Sequence, residues 1–215
     1  MPPIENVIQS YHHVTHWFMP VFLHRNKVGL RNAQNTVFLG LLAGVSVPIF
    51  AMLYHYLNFD LAAAVVLSGG ATMICTPLVL KATGRVAVAR EYFVLCFYVM
   101  KLFLAYYLGG IAAPTLPWLL LCPMIALALG SVRSCAQWGA IVALTVTGMF
   151  YVQTRGIVVF PAVPAFDQGL LQLVCILGLF VFSAILLLFL KPGAATPLAV
   201  PKINNEAPHQ YSRPT

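Results

Sequence analysis

Six apolar runs, roughly 36–57, 59–80, 91–112, 115–130, 136–154 and 169–190, take up most of this chain. A helix rising about 1.5 Å per residue needs about 20 apolar residues to cross a hydrocarbon core about 30 Å thick. Most of the runs reach that length. The fourth is short and carries Pro117 and Pro123. Lipid offers the backbone no hydrogen-bond partner, so each run has to satisfy its own polar groups as a helix. The expected fold is therefore all-α, a polytopic membrane protein with six transmembrane helices. Composition supports this: 8% of the residues are charged and 60% are hydrophobic, whereas a water-facing surface requires about 25% charged residues.

The cations set a direction. Arg25, Lys27 and Arg31 precede the first run; Lys81, Arg85 and Arg90 lie between the second and third. Arg133 lies between the fourth and fifth, and Lys191, Lys202 and Arg213 follow the sixth. Six crossings put all of these on one side, leaving Arg155 on the other and Lys101 inside the membrane. An excess of lysine and arginine marks the cytoplasmic side, so both termini are expected there. The net charge of +7 is then a topology signal. The cations stand singly rather than in a patch interleaved with aromatics, so no nucleic-acid partner is expected. Cys75, Cys96, Cys122, Cys135 and Cys175 form no CxxC pair and read as small apolar packing residues.

Three segments follow. Residues 1–30 form a cytoplasmic interfacial segment. In it Ile4, Val7, Ile8, Tyr11, Val14 and Phe18 recur at steps of three and four, which is one apolar stripe on an amphipathic helix lying in the interface. Pro20 ends or kinks that helix. No cleavable signal peptide is expected at the N-terminus. Residues 31–191 form the transmembrane domain. Residues 192–215 hold Pro192, Pro197, Pro201, Pro208 and Pro214 and read as a disordered cytoplasmic tail.

Lys101 is the feature that most calls for a function. The third run places it about midway between its ends. A charge at mid-depth costs about 3 kcal/mol on insertion scales, and a lysine stem snorkels only part of that way. It should face the bundle interior, a wet cavity or a partner. The five acids, Glu5, Asp60, Glu91, Asp167 and Glu206, all fall outside mid-depth in this topology. Three resolutions are open: a neutral amine, hydrogen bonds to tyrosines or freed carbonyls, or a ligand or second chain.

Other constellations are weaker. Gly109 and Gly110, followed by Pro114, Pro117 and Pro123, predict an irregular outer turn and a kinked fourth helix. Broken segments at membrane depth often border binding sites. A lipophilic ligand entering there would meet Lys101, Tyr106, Tyr107, Gly109, Gly110 and Trp118. The glycines of Ser68-Gly69-Gly70 make a second soft point or a close helix contact. His12, His13 and His16 share a helix face and make a candidate metal site, set against a plain polar stripe. Gly40 and Gly44 form a GxxxG pattern for close helix packing or dimerisation. No nucleophile–base pair, phosphate loop or metalloprotease motif is present, so no enzyme is expected. The sequence leaves any cofactor open.

The run YYLGGIAAPTLPWLLLCPMIALALGSVRSCAQW resembles the six-helix membrane regions that precede many bacterial sensor histidine kinases and some class III adenylate cyclases. The matching positions are Gly109, Gly110, Ile111, Pro114, Leu116, Trp118, Pro123, Gly130 and Trp138. Ala113 stands where that family often has serine. The resemblance covers less than a third of the chain. It implies a sensory module in a bacterial inner membrane that binds a small lipophilic molecule between helices. Those receptors continue into a kinase or cyclase, whereas this chain runs into a proline-rich tail, so it is expected either as a piece of a receptor or as a module that works alone by contacting other proteins, signalling through helix packing to a cytoplasmic partner. The alternatives are a structural accessory subunit of a large membrane assembly and, third, a small transporter.

Overall fold

The computed structural model describes residues 27–157 and 165–190, with side chains described for 29–157 and 169–187. The candidate histidines His12, His13 and His16, the interfacial segment before residue 27 and the C-terminal tail lie outside the described residues. Among the described residues every regular element is helical: α1 (Lys27–Tyr56), α2 (Asp60–Ile74), α3 (Thr76–Thr83), α4 (Val86–Tyr107), α5 (Leu121–Ala128), α6 (Val132–Thr154) and α7 (Ala165–Leu190). Two short 3-10 turns, Gly110–Ala112 and Leu116–Leu120, connect α4 to α5.

Four stretches are long and apolar enough to cross a membrane: Gly29–Tyr56, Asp60–Thr83, Val132–Thr154 and Gly169–Leu187. The α4 helix has 22 residues but carries Arg90, Glu91 and Lys101. The segment Leu116–Ala128 is apolar but shorter. The second run is continuous only in sequence. Its helix breaks at Cys75, between α2 and α3. Pro77, in the first turn of α3, has no N–H to continue the ladder, so the helical hydrogen bonding is interrupted there, while Cys75 keeps helical backbone angles.

The core lies between α1, α2 and α4, with α5 and the second 3-10 turn closing it. Glycines permit these approaches. A side chain at Gly40 would press on the Pro77 ring at 3.1 Å, and one at Gly44 would meet Ile74 at 3.3 Å. The GxxxG pair therefore serves packing inside the chain. Gly69 lies against Met100, where a Cβ would come within 2.7 Å of the sulfur, and Gly70 lies against both Val47 methyls. The double glycine of α2 is thus a close helix contact, not a soft point. By contrast, α6 and α7 bury little of themselves: 11% and 17% of their apolar stretches.

The turn after α4 is irregular, as the glycines and prolines predict. Gly109 and Gly110 both take positive φ, 112° and 68°, where a Cβ is strained. The chain then winds as 3-10 before settling into the α-helix at Leu121.

Candidate functional site

Lys101 is buried, at 6% exposure. It stands six residues before Tyr107, the end of α4, which puts it about 9 Å from that end. The midway placement read from the sequence is thereby corrected, because α4 starts and stops earlier than the apolar run does. The amine still does not reach an edge. Its Nζ lies 4.2 Å from the centroid of the Trp118 ring, 5.5 Å from Phe97 and 5.8 Å from Phe50.

Those rings answer part of the charge question. Cation–π contacts reach about 2 kcal/mol or more when desolvated, which is comparable with the roughly 3 kcal/mol insertion cost. Discharging a lysine at neutral pH costs about 4–5 kcal/mol from its reference acidity. The three nearby rings therefore offset part of the cost of burying the cation. Among the described residues no carboxylate pairs with it: Asp60 meets His55 at 2.6 Å, and Glu91 meets Arg90 at 2.9 Å.

Trp118 organises the surroundings. Its Nε1–H donates to the Cys175 carbonyl of α7 at 3.1 Å. Its ring meets Phe50 edge-on at 5.5 Å and Phe182 at 6.2 Å. Gly178 makes room: a Cβ there would stand 2.9 Å from Trp118 and 3.1 Å from Phe50. One indole thus ties α1, α4 and α7 together. A cavity of about 40 Å³ lies beside it, bordered by Lys101, Ser46, Phe97, Met100, Met73 and Trp118. Ligand pockets run to about 300–1,000 Å³, so this space is far too small for a drug-sized lipophile.

A larger space opens on the other face of α4. A groove of about 550 Å³ runs between α4 and α6, walled by Val99, Phe103 and Tyr106 on one side and by Leu144, Gly148 and Val152 on the other. Gly148 faces this open space, and a Cβ there would meet nothing within 4 Å. Polar ties bracket the groove. Toward the start of α4, the Tyr98 and Thr145 hydroxyls share a hydrogen bond of 2.6 Å. At the far end, the Ile111 N–H donates to Gln153 Oε1 at 2.9 Å.

The six residues expected to form one ligand site thus divide. Lys101 and Trp118 belong to the interior hub. Tyr106 lines the groove, and Tyr107 stacks on Phe103, a groove wall, at 6.3 Å. Gly109 and Gly110 shape the turn between them. Adjacent ligand-facing positions in sequence became opposite faces of α4, because the helix rotates about 100° per residue.

Sequence reasoning missed a third cluster, at the N-terminal ends of α4 and α6. Glu91 Oε1 accepts from the Arg90 guanidinium at 2.9 and 3.0 Å and from the Ser134 hydroxyl at 2.7 Å. Its Oε2 accepts from Trp138 Nε1–H at 2.8 Å. Ser131 caps α6 by accepting from the Ser134 N–H at 3.0 Å. The available signal was Ser134 and Trp138 at a four-residue spacing on one helix face, opposite an acid that opens an apolar run. Among the described residues no group of three or more histidine, cysteine or acidic side chains could hold a metal. No family model matches the chain, and no curated protein or solved structure is significantly similar to it.

Proposed function

We propose that this chain is a membrane-embedded module that binds a small lipophilic molecule in the groove between α4 and α6. It crosses the membrane six times, with α4 and the segment Leu116–Ala128 adding to the four long apolar helices. The ten cations on one side and the single Arg155 opposite support that count. Both termini then face the cytoplasm, and the groove lies in the outer half of the bilayer. The short crossing spans about 22 Å, and the folded outer turn makes up part of the difference.

The observation that carries the reading is the groove itself: about 550 Å³, almost wholly apolar, between helices that are pinned on either side of it. An occupant that spreads α4 from α6 strains the Tyr98–Thr145 bond. The Glu91 cluster joins the same two helices at the cytoplasmic end, so the spread is felt there, where a partner would read it. The resemblance to receptor-kinase membrane regions points the same way.

Labelling with an alkyl-diazirine lipophile tests this. The expected result is preferential crosslinking to 99–106 and 144–152, lost when Gly148→Phe fills the groove. Uniform labelling of every lipid-facing helix, or labelling unchanged by Gly148→Phe, rejects it. The accessory-subunit reading draws on a different observation, the thin burial of α6 and α7. It predicts a stoichiometric partner protecting those helices from the same label.

A further inference from the structure

The small interior cavity has a feature that the groove reading does not use. Lys101 is more than nine-tenths buried and borders the cavity. A lysine ammonium carries three N–H donors and no acceptor. The rings of Trp118, Phe97 and Phe50 offset its charge but supply no lone pair. Among the described residues no side chain or carbonyl accepts a hydrogen bond from this amine, and both described carboxylates are engaged elsewhere.

The cavity lining also carries one hydroxyl residue, Ser46. Ser46 Oγ borders the same space and donates to the Ala43 carbonyl of its own helix at 3.2 Å. That bond is long and local, so the hydroxyl is only weakly committed to its own helix. About 10–15 Å³ of such volume holds one water. The cavity's 40 Å³ is therefore room for about three waters or one larger monatomic guest, and for no long polyatomic ligand. Met73 and Met100 form part of the wall; unbranched and flexible, they adapt to a guest.

We propose that this cavity is a binding site for one small monovalent anion of halide size, paired with the Lys101 ammonium and bonded by the Ser46 hydroxyl. The guest supplies the lone pairs that the aromatic walls lack and leaves the centre of the bundle electrically neutral. The site is independent of the lateral groove, which lies on the other face of α4.

Bromide gives a direct test, because it quenches a tryptophan it touches and Trp118 borders the site. In the purified full chain at constant ionic strength, bromide replacing gluconate should quench emission with a saturating component. Chloride should compete for that component and should raise the thermal unfolding midpoint relative to gluconate. Lys101→Met should abolish both effects, and Ser46→Ala should weaken saturation several-fold. Trp118→Phe removes the reporter but should keep the chloride-dependent midpoint shift. Quenching that stays linear in bromide, or is equal in Lys101→Met, overturns the proposal and leaves a water beside the amine. Loss of groove labelling in the separate lipophile experiment leaves this site unaffected.

Discussion

Replacing Glu91 by alanine removes the acceptor for two buried donors at once. Ser134 and Trp138 are 2% and 7% exposed, so water cannot readily take over their bonds, of 2.7 and 2.8 Å. Bonds to a charged acceptor contribute about 1.5–3 kcal/mol each in soluble proteins. Side-chain bonds within membrane proteins average nearer 0.6 kcal/mol, with a maximum of about 1.7. The Arg90 pair is discounted to about 0–1 kcal/mol, because the Glu91 side chain is 42% exposed and solvent screens it. The sum runs from about 1 to about 4 kcal/mol, and a loss of about 2 kcal/mol is expected for Glu91→Ala. Glu91→Gln keeps one acceptor oxygen but turns the other into a donor facing either Ser134 or Trp138. About half of the loss is expected there. Reversible unfolding in mixed micelles with increasing dodecyl sulfate, followed by helical circular dichroism, reads both values. A double-mutant cycle with Trp138→Phe should show coupling above about 0.5 kcal/mol. The reasoning is refuted by an alanine variant within about 0.5 kcal/mol of wild type, the range of ordinary surface substitutions, or by glutamine and alanine variants of equal effect.

Three further outcomes follow from the packing. Trp118→Phe keeps a ring in the hub but loses the bond to the Cys175 carbonyl; unfolding measurements should show a loss of about 1–2 kcal/mol, with Trp118→Ala losing about 3–5 kcal/mol. Gly70→Ala drives a methyl into Val47 and should cost about 1–3 kcal/mol, relieved when combined with Val47→Ala. Gly139→Ala meets open space on α6 and should be neutral or stabilising by up to about 1 kcal/mol; an equal penalty at both glycines on denaturant titration would show that helix contacts are not what Gly70 serves.

The all-helical character of this chain, with helices long and apolar enough to cross a membrane, was legible in its residues alone. Long apolar runs leave the backbone no choice but helix, and Lys101 was expected in the bundle interior, a wet cavity or against a partner, since no acid lay at its depth. The glycine–proline stretch after Tyr107 likewise announced its irregular turn, because positive φ and missing N–H groups are properties of those residues wherever they occur. What surrounds each side chain was decided by the tertiary structure. Tyr106 and Lys101 are five residues apart and face different spaces, because helix rotation and the partner helix, not proximity in the chain, set the neighbourhood. The rings of Phe50, Phe97 and Trp118 come from α1, α4 and a 3-10 turn, and nothing in their sequence positions says that they converge on one amine. Glu91 met Ser134 and Trp138 in the same way, across 43 and 47 residues. In lipid every helix face is apolar, so the hydrophobic pattern that tells inside from outside in a soluble protein carries little information here, and only the close approach of glycines and the reach of polar atoms choose which faces meet.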